Sequence, residues 1–409
     1  MMKNWMRYLT SMVFVLGMVA GCLVFTPDTV RAASAYVHEY SDMIGQGGYI
    51  YYIKESESDR SASIWRMKVA TGETEKVLTE KQGICKLTVS GKQLYYVTSN
   101  ESGNWETRTC PLSGGTAETV CEGFACYADI QNVYFTRITD AKIYLYVKNL
   151  ESGEETLLRT TKKDQTLDYA CNIGSDSYYY LYDRSSEKLY LYCLNTTSEN
   201  KKLIRVASEK RVVKDTVGAL QVTDIKQING ELYYNFGSYE GSGNFWNGTI
   251  KKLTVDGAKK TVAKYSGDQL IKAGRRELYF WDLRGNDYKY NLKTGKKTKY
   301  SLKFEKNISY TVLGDKTWMI DTSNKNKIVI SRFASGTDRE TLTKNFISIP
   351  FKQKTGISYA VSVKQIGVYN MICVTGTDFD PAYGWRGKKV SIDWFVTDAG
   401  AGTLLGSFK

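Results

Sequence analysis

Gly91-Lys92-Gln93-Leu94-Tyr95-Tyr96 is a polar glycine turn that runs straight into an aromatic pair, and the signature recurs along the whole chain. Its centres are Tyr51, Tyr95, Tyr134, Tyr179, Tyr233, Tyr279, Trp318 and Tyr369, at intervals of 44, 39, 45, 54, 46, 39 and 51 residues. A period of that length marks an array of one supersecondary unit. Within each unit the order is constant: a short strand, a tight turn, the aromatic strand, a polar loop of variable length, an alternating strand, a glycine turn and a last strand. The sixth unit shows it compactly. Leu270 to Ala273 lead through Gly274-Arg275-Arg276 into Leu278-Tyr279-Phe280-Trp281. A loop from Asp282 to Asp287, the alternating Tyr288 to Leu292, the turn Thr294-Gly295-Lys296 and Thr298 to Leu302 complete it.

Alternation of apolar and polar residues marks a strand with one buried face. The recurring turns Thr71-Gly72-Glu73, Ser113-Gly114-Gly115, Ser152-Gly153-Glu154 and Asp256-Gly257-Ala258 place glycine where a hairpin needs positive φ. The fourth unit has Thr196-Thr197-Ser198-Glu199-Asn200 instead, and there Asn200 is expected to supply the left-handed residue. One four-stranded sheet cannot bury both its faces, so the units must stack, and radial closure removes the exposed ends of the stack. The expected fold is therefore all-β, a β-propeller of four-stranded antiparallel blades. Eight units appear complete, from a first inner strand at about Tyr36 to Ser41 to a last outer strand near Thr403 to Phe408. Seven blades would result if one terminal unit were divided between the chain ends or served as a cap. The 31 Tyr, 14 Phe and 8 Trp against 4 Pro and 1 His suit half-buried pleated surfaces. No linker or composition shift divides residues 33–409, which read as one domain.

This pattern, Gly91 to Tyr96 followed by a polar loop, an alternating strand and a turn ending in glycine, resembles an exported bacterial propeller family of unknown function. That family is itself similar to the low-density-lipoprotein-receptor-type and TolB-like propellers. The resemblance covers essentially all of the mature chain and implies fold and export. It transfers no functional residues, and the strict Tyr-Trp-Thr-Asp pattern of the receptor propellers is absent.

The amino terminus carries Lys3 and Arg7, then an apolar run from about Tyr8 to Phe25, Pro27 and the small residues around Val30-Arg31-Ala32-Ala33. That layout is a secretory signal, 1–32, for the general export route. A second exit competes: Val19-Ala20-Gly21-Cys22 reads as a lipobox, with a lipoprotein signal at 1–21 and lipidation at Cys22. An uncleaved anchor is the third option, and in each case the bulk of the chain is expected outside the cell or attached to its envelope. Contact with the membrane is expected only through that lipid or anchor.

The formal charge is +13, and removing Lys3, Arg7, Arg31 and Asp28 with the signal leaves +11. Such a balance attracts anionic walls or headgroups. Lysine pairs such as Lys201-Lys202, Lys259-Lys260 and Lys296-Lys297 sit in hairpins, where they also guard sheet edges against aggregation. No basic helix or nucleic-acid motif appears, so nucleic acid is not an expected partner. Beyond Cys22 there are seven cysteines, an odd number that cannot close into a disulfide framework. Cys110 and Cys121 flank a hairpin turn and are the one pair positioned to face each other. Cys121 and Cys126 lack a second pair to complete a zinc site, and no metal or other cofactor is expected.

Two variable loops stand out for their aromatics: Phe236 to Gly248 with Tyr239, Phe245 and Trp246, and Gly376 to Gly387 with Asp378, Phe379, Asp380, Tyr383, Trp385 and Arg386. Rings on loops can stack on sugar faces or anchor a peptide while carboxylates and an arginine fix orientation. The competing reading makes these loops plugs that fold back onto the blades. His38 is the only histidine, and no nucleophile-elbow, metalloprotease or phosphate-loop pattern occurs. No catalytic residues are assigned. The leading expectation is a non-catalytic exported propeller that binds a glycan, cell-wall polymer or peptide on its loop face. An enzyme acting on polysaccharide or glycoside through Asp378 and Asp380 is the second reading, and a structural or accessory envelope protein with a protein partner is the third.

Overall fold

A computed structural model describes residues 43–408, apart from 57–58, 60, 212–218, 229, 241–244, 255–256, 267–271, 274–276, 282–286, 301–306, 314–315, 335–344, 367–368, 379–387 and 399–403. It is an eight-bladed β-propeller, and the described residues contain no helix. Blade 1 holds β1 (Met43–Gln46), β2 (Tyr49–Glu55), β3 (Ala62–Lys68) and β4 (Thr74–Glu80). Blade 2 holds β5 (Ile84–Ser90), β6 (Gln93–Ser99), β7 (Trp105–Pro111) and β8 (Glu118–Glu122). In blade 3 the strands are β9 (Phe124–Ala128), β10 (Asn132–Thr139), β11 (Lys142–Asn149) and β12 (Glu155–Thr160). Blade 4 follows with β13 (Gln165–Ile173), β14 (Asp176–Asp183), β15 (Lys188–Asn195) and β16 (Ile204–Lys210). Blade 5 is β17 (Gln221–Ile228), β18 (Glu231–Glu240), β19 (Phe245–Leu253) and β20 (Lys259–Ser266). Blade 6 has β21 (Lys272–Ala273), β22 (Glu277–Trp281), β23 (Asp287–Asn291) and β24 (Lys297–Tyr300). Blade 7 has β25 (Ile308–Leu313), β26 (Lys316–Asp321), β27 (Lys327–Ala334) and β28 (Asn345–Pro350). Blade 8 ends the chain with β29 (Ile357–Ile366), β30 (Tyr369–Asp378), β31 (Lys388–Asp398) and β32 (Leu404–Phe408). Each sheet pairs its strands in chain order.

The aromatic pairs build the ring because neighbouring residues of a strand point to opposite sheet faces. Tyr51 and Ile53 pack with Leu94 and Tyr96 of blade 2, whereas Ile50 and Tyr52 pack with Met371, Cys373 and Trp394 of blade 8. Tyr95 and Val97 face Val133 and Phe135 of blade 3. Tyr134 faces Tyr179 and Leu181 of blade 4, and Tyr178, Tyr180 and Tyr182 face Tyr234 and Phe236 of blade 5. Tyr233 then faces Leu278 and Phe280, and Trp318 and Ile320 face Ile372 and Val374. The cluster that joins blade 8 to blade 1 closes the circle without dividing a blade between the termini.

Outer strands add polar staples between blades. Tyr96 Oη and Arg108 Nη1 of blade 2 both donate to Glu80 Oε1 of β4. Three units on, Tyr234 Oη donates to Glu209 Oε1 of β16 at 2.7 Å, and Lys259 and Lys251 approach the same carboxylate at 3.1 and 3.6 Å. Arg159 of β12 donates to Tyr192 Oη at 3.0 Å and lies over its ring. In each case the fourth strand of one blade grips the second or third strand of the next, and at Glu209 Lys259 adds a contact from the fourth.

Several expectations are corrected. The strand paired with β2 is Met43–Gln46, not Tyr36 to Ser41, which lies outside the described residues. Asn200 is not left-handed; the Asn195 side chain holds the turn by accepting from the backbone N–H groups of Thr197 and Ser198. The glycine turns hold as expected, with φ of 73° at Gly72, 88° at Gly114 and 69° at Gly295. Cys110 and Cys121 do not face each other. Cys110 points to blade 1 and Cys121 to blade 3, and all seven described cysteines are free thiols.

If the two tyrosines of a pair serve different interfaces, Tyr51→Ala and Tyr52→Ala should each cost about 3–5 kcal/mol, and the double variant roughly their sum. Urea unfolding midpoints of residues 33–409 measure this. Glu209→Gln, which strands two lysines beside a buried hydroxyl, is expected to cost about 3 kcal/mol, read in the same way.

Candidate functional site

Chain order places the second-to-third and fourth-to-first connections on one face of the disc. Two hairpins on this face are longer than the rest. In blade 5, β18 and β19 span 10 and 9 residues, and in blade 8, β30 and β31 span 10 and 11, against 7 or 8 for the paired strands of blades 1 to 4. Most of the expected Phe236 to Gly248 loop is thus a ladder. Tyr239 stands opposite Trp246 and Glu240 opposite Phe245, beyond the end of β17 at Gln221, whose partner is Gly237. Arg211, from the connection between blades 4 and 5, donates from Nη1 to Ser238 Oγ at 2.8 Å, and Ser238 and Asn247 are buried. The ribbon is therefore braced at its base.

Asp378 is the exposed last residue of β30, opposite Ile357 on β29 and Lys388 on β31. Phe379, Asp380, Tyr383, Trp385 and Arg386 lie outside the described residues, as do His38 and Cys22. Among the described residues no three His, Cys, Asp or Glu side chains gather as metal ligands.

A second assembly lies on the inner strands. First strands meet one another around the ring, β1 with β5, β5 with β9, β13 with β17, β25 with β29 and β29 with β1, as they must where blades converge on an axis. In blades 2 to 5 each inner strand carries one extra residue against its neighbour: Cys85, Cys126, Ala170 and Thr223. The inner strands of blades 1, 7 and 8 pair without a shift. A bulge bends its strand and re-aims the side chains beside it.

Beside these bulges sit charged and phenolic groups. Lys86 Nζ donates to the Cys126 carbonyl at 2.7 Å and lies 5.3 Å from the Tyr169 ring and 5.7 Å from the Phe124 ring. It thereby reaches from blade 2 past blade 3 to blade 4, a span available only along the central channel. Tyr169 Oη and Ser177 Oγ both donate to Asn172 Oδ1, and Tyr169 packs edge-on against Tyr179. Asp224 pairs with Lys226 at 3.2 Å on β17, near Cys171.

Asp168 is the outlying group. It is partly open to solvent on the wall, yet protein surrounds it, and this loss of hydration pushes its carboxyl up to about 6 against the opposing hydrogen bond from the Tyr180 hydroxyl. The same cause raises the thiols of Cys126 and Cys171 to about 11, so both stay protonated at neutral pH.

Aromatic composition singles out the two loop segments, whereas it gives no sign of the channel wall. Its only signal was a charged residue next to an apolar one within a first strand: Cys85-Lys86-Leu87, Leu167-Asp168-Tyr169 and Asp224-Ile225. A raised carboxyl means that Asp168 favours folding at acid pH and that this contribution is lost as pH rises from about 4 through about 6. By linkage the ionised form costs the fold about 2–3 kcal/mol at pH 7. Asp168→Asn is expected to flatten the stability profile between pH 4 and 7 and to raise the neutral-pH urea midpoint.

No protein-family model matches the chain, and no curated protein matches it significantly. Solved structures do. One from a structural and mechanistic study of two prolyl endopeptidases is 12% identical with a TM-score of 0.49, over 84% of this chain and 55% of that one. An oligogalacturonate lyase in complex with manganese is 11% identical with a TM-score of 0.40, over 68% and 83%. Saccharomyces cerevisiae Sqt1 is 10% identical with a TM-score of 0.44, over 83% and 95%. The chain spans about half the length of the prolyl endopeptidase it matches. At TM-scores below 0.5 the architecture stands on the chain's own sheet order and blade contacts.

Proposed function

We propose that this is an exported, non-catalytic propeller that binds a glycan, cell-wall polymer or peptide across its loop face. The observation that carries the reading is the pair of lengthened hairpins on blades 5 and 8, three blades apart on one rim. A ribbon with Arg211 bracing its base holds Tyr239, Phe245 and Trp246 in a ladder, and ladders hold rings at lower entropy cost than open loops do. Asp378 closes the equivalent hairpin of blade 8. An acid catalyst for glycoside cleavage needs a carboxyl shielded from water, and an exposed rim position such as Asp378 favours polar anchoring instead. Export by the 1–32 signal, or retention through Cys22, would present this face to the envelope, where the basic surface concentrates the protein on anionic polymer.

Cosedimentation of the mature protein with insoluble cell wall, with and without salt and soluble sugars, tests the reading. The expected result is binding that survives high salt, yields to a competing sugar or peptide, and drops at least tenfold in Trp246→Ala with the melting temperature within a few degrees of wild type. Binding abolished by salt alone would reduce the interaction to charge. A large loss of stability in Trp246→Ala with binding intact would make the ribbon a plug.

A further inference from the structure

The lysine surplus is local. Residues 212–354, which span blades 5 to 7, hold 26 Lys and Arg against 14 Asp and Glu, so the rest of residues 33–409 is close to neutral. Within that sector, we infer that the outer cleft between blades 5 and 6 is a docking groove for a linear polymer carrying phosphate groups. The groove lies beside the glycine turns, on the face opposite the loop ribbons, and does not rest on the loop-face reading.

Strand register brings lysines to both walls of this cleft. On blade 5, Lys260 of β20 stands opposite Lys252 of β19, which stands opposite Tyr233 of β18. Tyr233 packs with Leu278 and Tyr290 of blade 6, so the row faces that blade. On blade 6, Lys297 and Lys299 of β24 stand opposite Tyr290 and Tyr288 of β23, whose rings pack with the same cluster, so these lysines face blade 5. Lys297 Nζ lies 4.6 Å from the centre of the Tyr288 ring. A Cβ placed on Gly295, in the turn before β24, would lie 3.4 Å from both Lys260 Nζ and Tyr290 Oη, so Lys260 reaches across to blade 6. Lys260, Lys297 and Lys299 are exposed, as are Lys293 and Lys296 of the turn.

Elsewhere a carboxylate neutralises the corresponding interface. β4, β16 and β20 each carry one extra residue against their third strand: Val77, Val206 and Val262. Three positions further on stand Glu80 and Glu209, which meet Arg108 and Lys251 of the next blade, but in blade 5 that position is Tyr265. Lys252 is held by Glu231 at 2.6 Å, whereas among the described residues no ion pair joins Lys260, Lys297 or Lys299 to an acid. Directly opposed like charges such as Lys252 and Lys260 destabilise a sheet. Protection of the outer edge accounts for lysines on β24, yet it does not need Lys260 turned into the cleft.

The chemistry of the groove selects its occupant. Lysine is a compact point charge with three donors, suited to phosphate and without the planar fork by which arginine matches a carboxylate. Lys297 and Lys299 repeat along one strand face at about 6.6 Å, which suits a chain of anions better than a single ion. None of the large apolar side chains exposed among the described residues, Ile130, Ile138, Leu157, Ile204 and Leu404, belongs to blade 5 or 6, so the groove has nothing to insert into a lipid surface.

Fluorescence anisotropy of labelled long-chain polyphosphate, titrated with residues 33–409 at rising salt, tests the groove. Expected is saturable binding that falls about tenfold or more in the triple variant Lys260→Gln, Lys297→Gln, Lys299→Gln, with the slope of log affinity against log salt shallower by about two. The triple Lys142→Gln, Lys162→Gln, Lys163→Gln removes the same charge from exposed positions on blade 3 and the connection after it, and should cost less than about threefold. The cleft triple should keep or raise the urea midpoint, because it relieves opposed like charges, and this separates lost binding from lost folding. Equal loss in the two triples, or affinity for polygalacturonate or for phosphatidylglycerol vesicles equal to that for polyphosphate, would overturn the proposal. Loss in Trp246→Ala with binding kept in the cleft triple would place the polymer on the loop face instead.

Discussion

The fold depends on one constraint, seen in blades 1 to 5 and 8, that the second strand of a blade is buried on both faces by different neighbours. Tyr51 and Tyr52 are adjacent in sequence and belong to different interfaces, and so are Tyr95 and Tyr96, Tyr134 and Phe135, and Tyr233 and Tyr234. A strand buried on one face can alternate apolar with polar residues. A strand buried on both must be apolar continuously, and tyrosine fills the wide gap between blades, with a hydroxyl that in some blades reaches an outer-strand carboxylate. That is how Tyr234 meets Glu209 and Tyr96 meets Glu80. Two-sided burial also makes an open array unworkable, because each end would expose a full apolar face. Packing of Tyr52 and Met67 against Met371 and Trp394 removes those ends.

Carrying stability on the second and third strands leaves the first strand freer. Inner strands touch solvent along the channel and need bury only part of their surface, so a bulge there disturbs little of the blade-to-blade core. In blades 2 to 5 a single extra residue shifts the pairing, and the charged groups Lys86, Asp168 and Asp224 stand one or two positions from it. Blades 1, 7 and 8 keep unbroken inner ladders. One arc of the channel is thus chemically distinct from the rest of the described ring.

The fold was legible because two-sided burial imprints continuous aromatic pairs at a fixed period, a signal local to each strand. The hairpin glycines were legible for the same reason, since positive φ is a local demand met at Gly72, Gly114 and Gly153. What failed was whatever depended on register or on nonlocal geometry. The first strand was placed too early because Tyr36, Val37 and Tyr40 are residue types that favour strands, and only the pairing of Met43 with Tyr52 shows which segment lies beside β2. Cys110 and Cys121 looked like cross-hairpin partners, but Cys110 pairs with Leu94 and Cys121 with Thr107, on opposite faces of the same sheet. In the fourth unit a side chain replaced a backbone conformation, since Asn195 can accept from two successive N–H groups without any residue turning left-handed. The candidate site divides the same way. Ring-rich segments are visible in composition, whereas Asp168 gains its character only when the fold surrounds it with protein opposite Tyr180.

The two candidate surfaces ask different things of the scaffold. A rim ribbon tolerates change because its energetic cost is confined to one hairpin and its bracing residues, Arg211 and Ser238. A charged channel wall lies against the interfaces that close the ring, so an ionised Asp168 works against the stability that Tyr179, Tyr180 and Leu181 supply around it. Folding alone offers no reason to keep a carboxylate there, because an amide of the same shape would accept from Tyr180 without the desolvation cost.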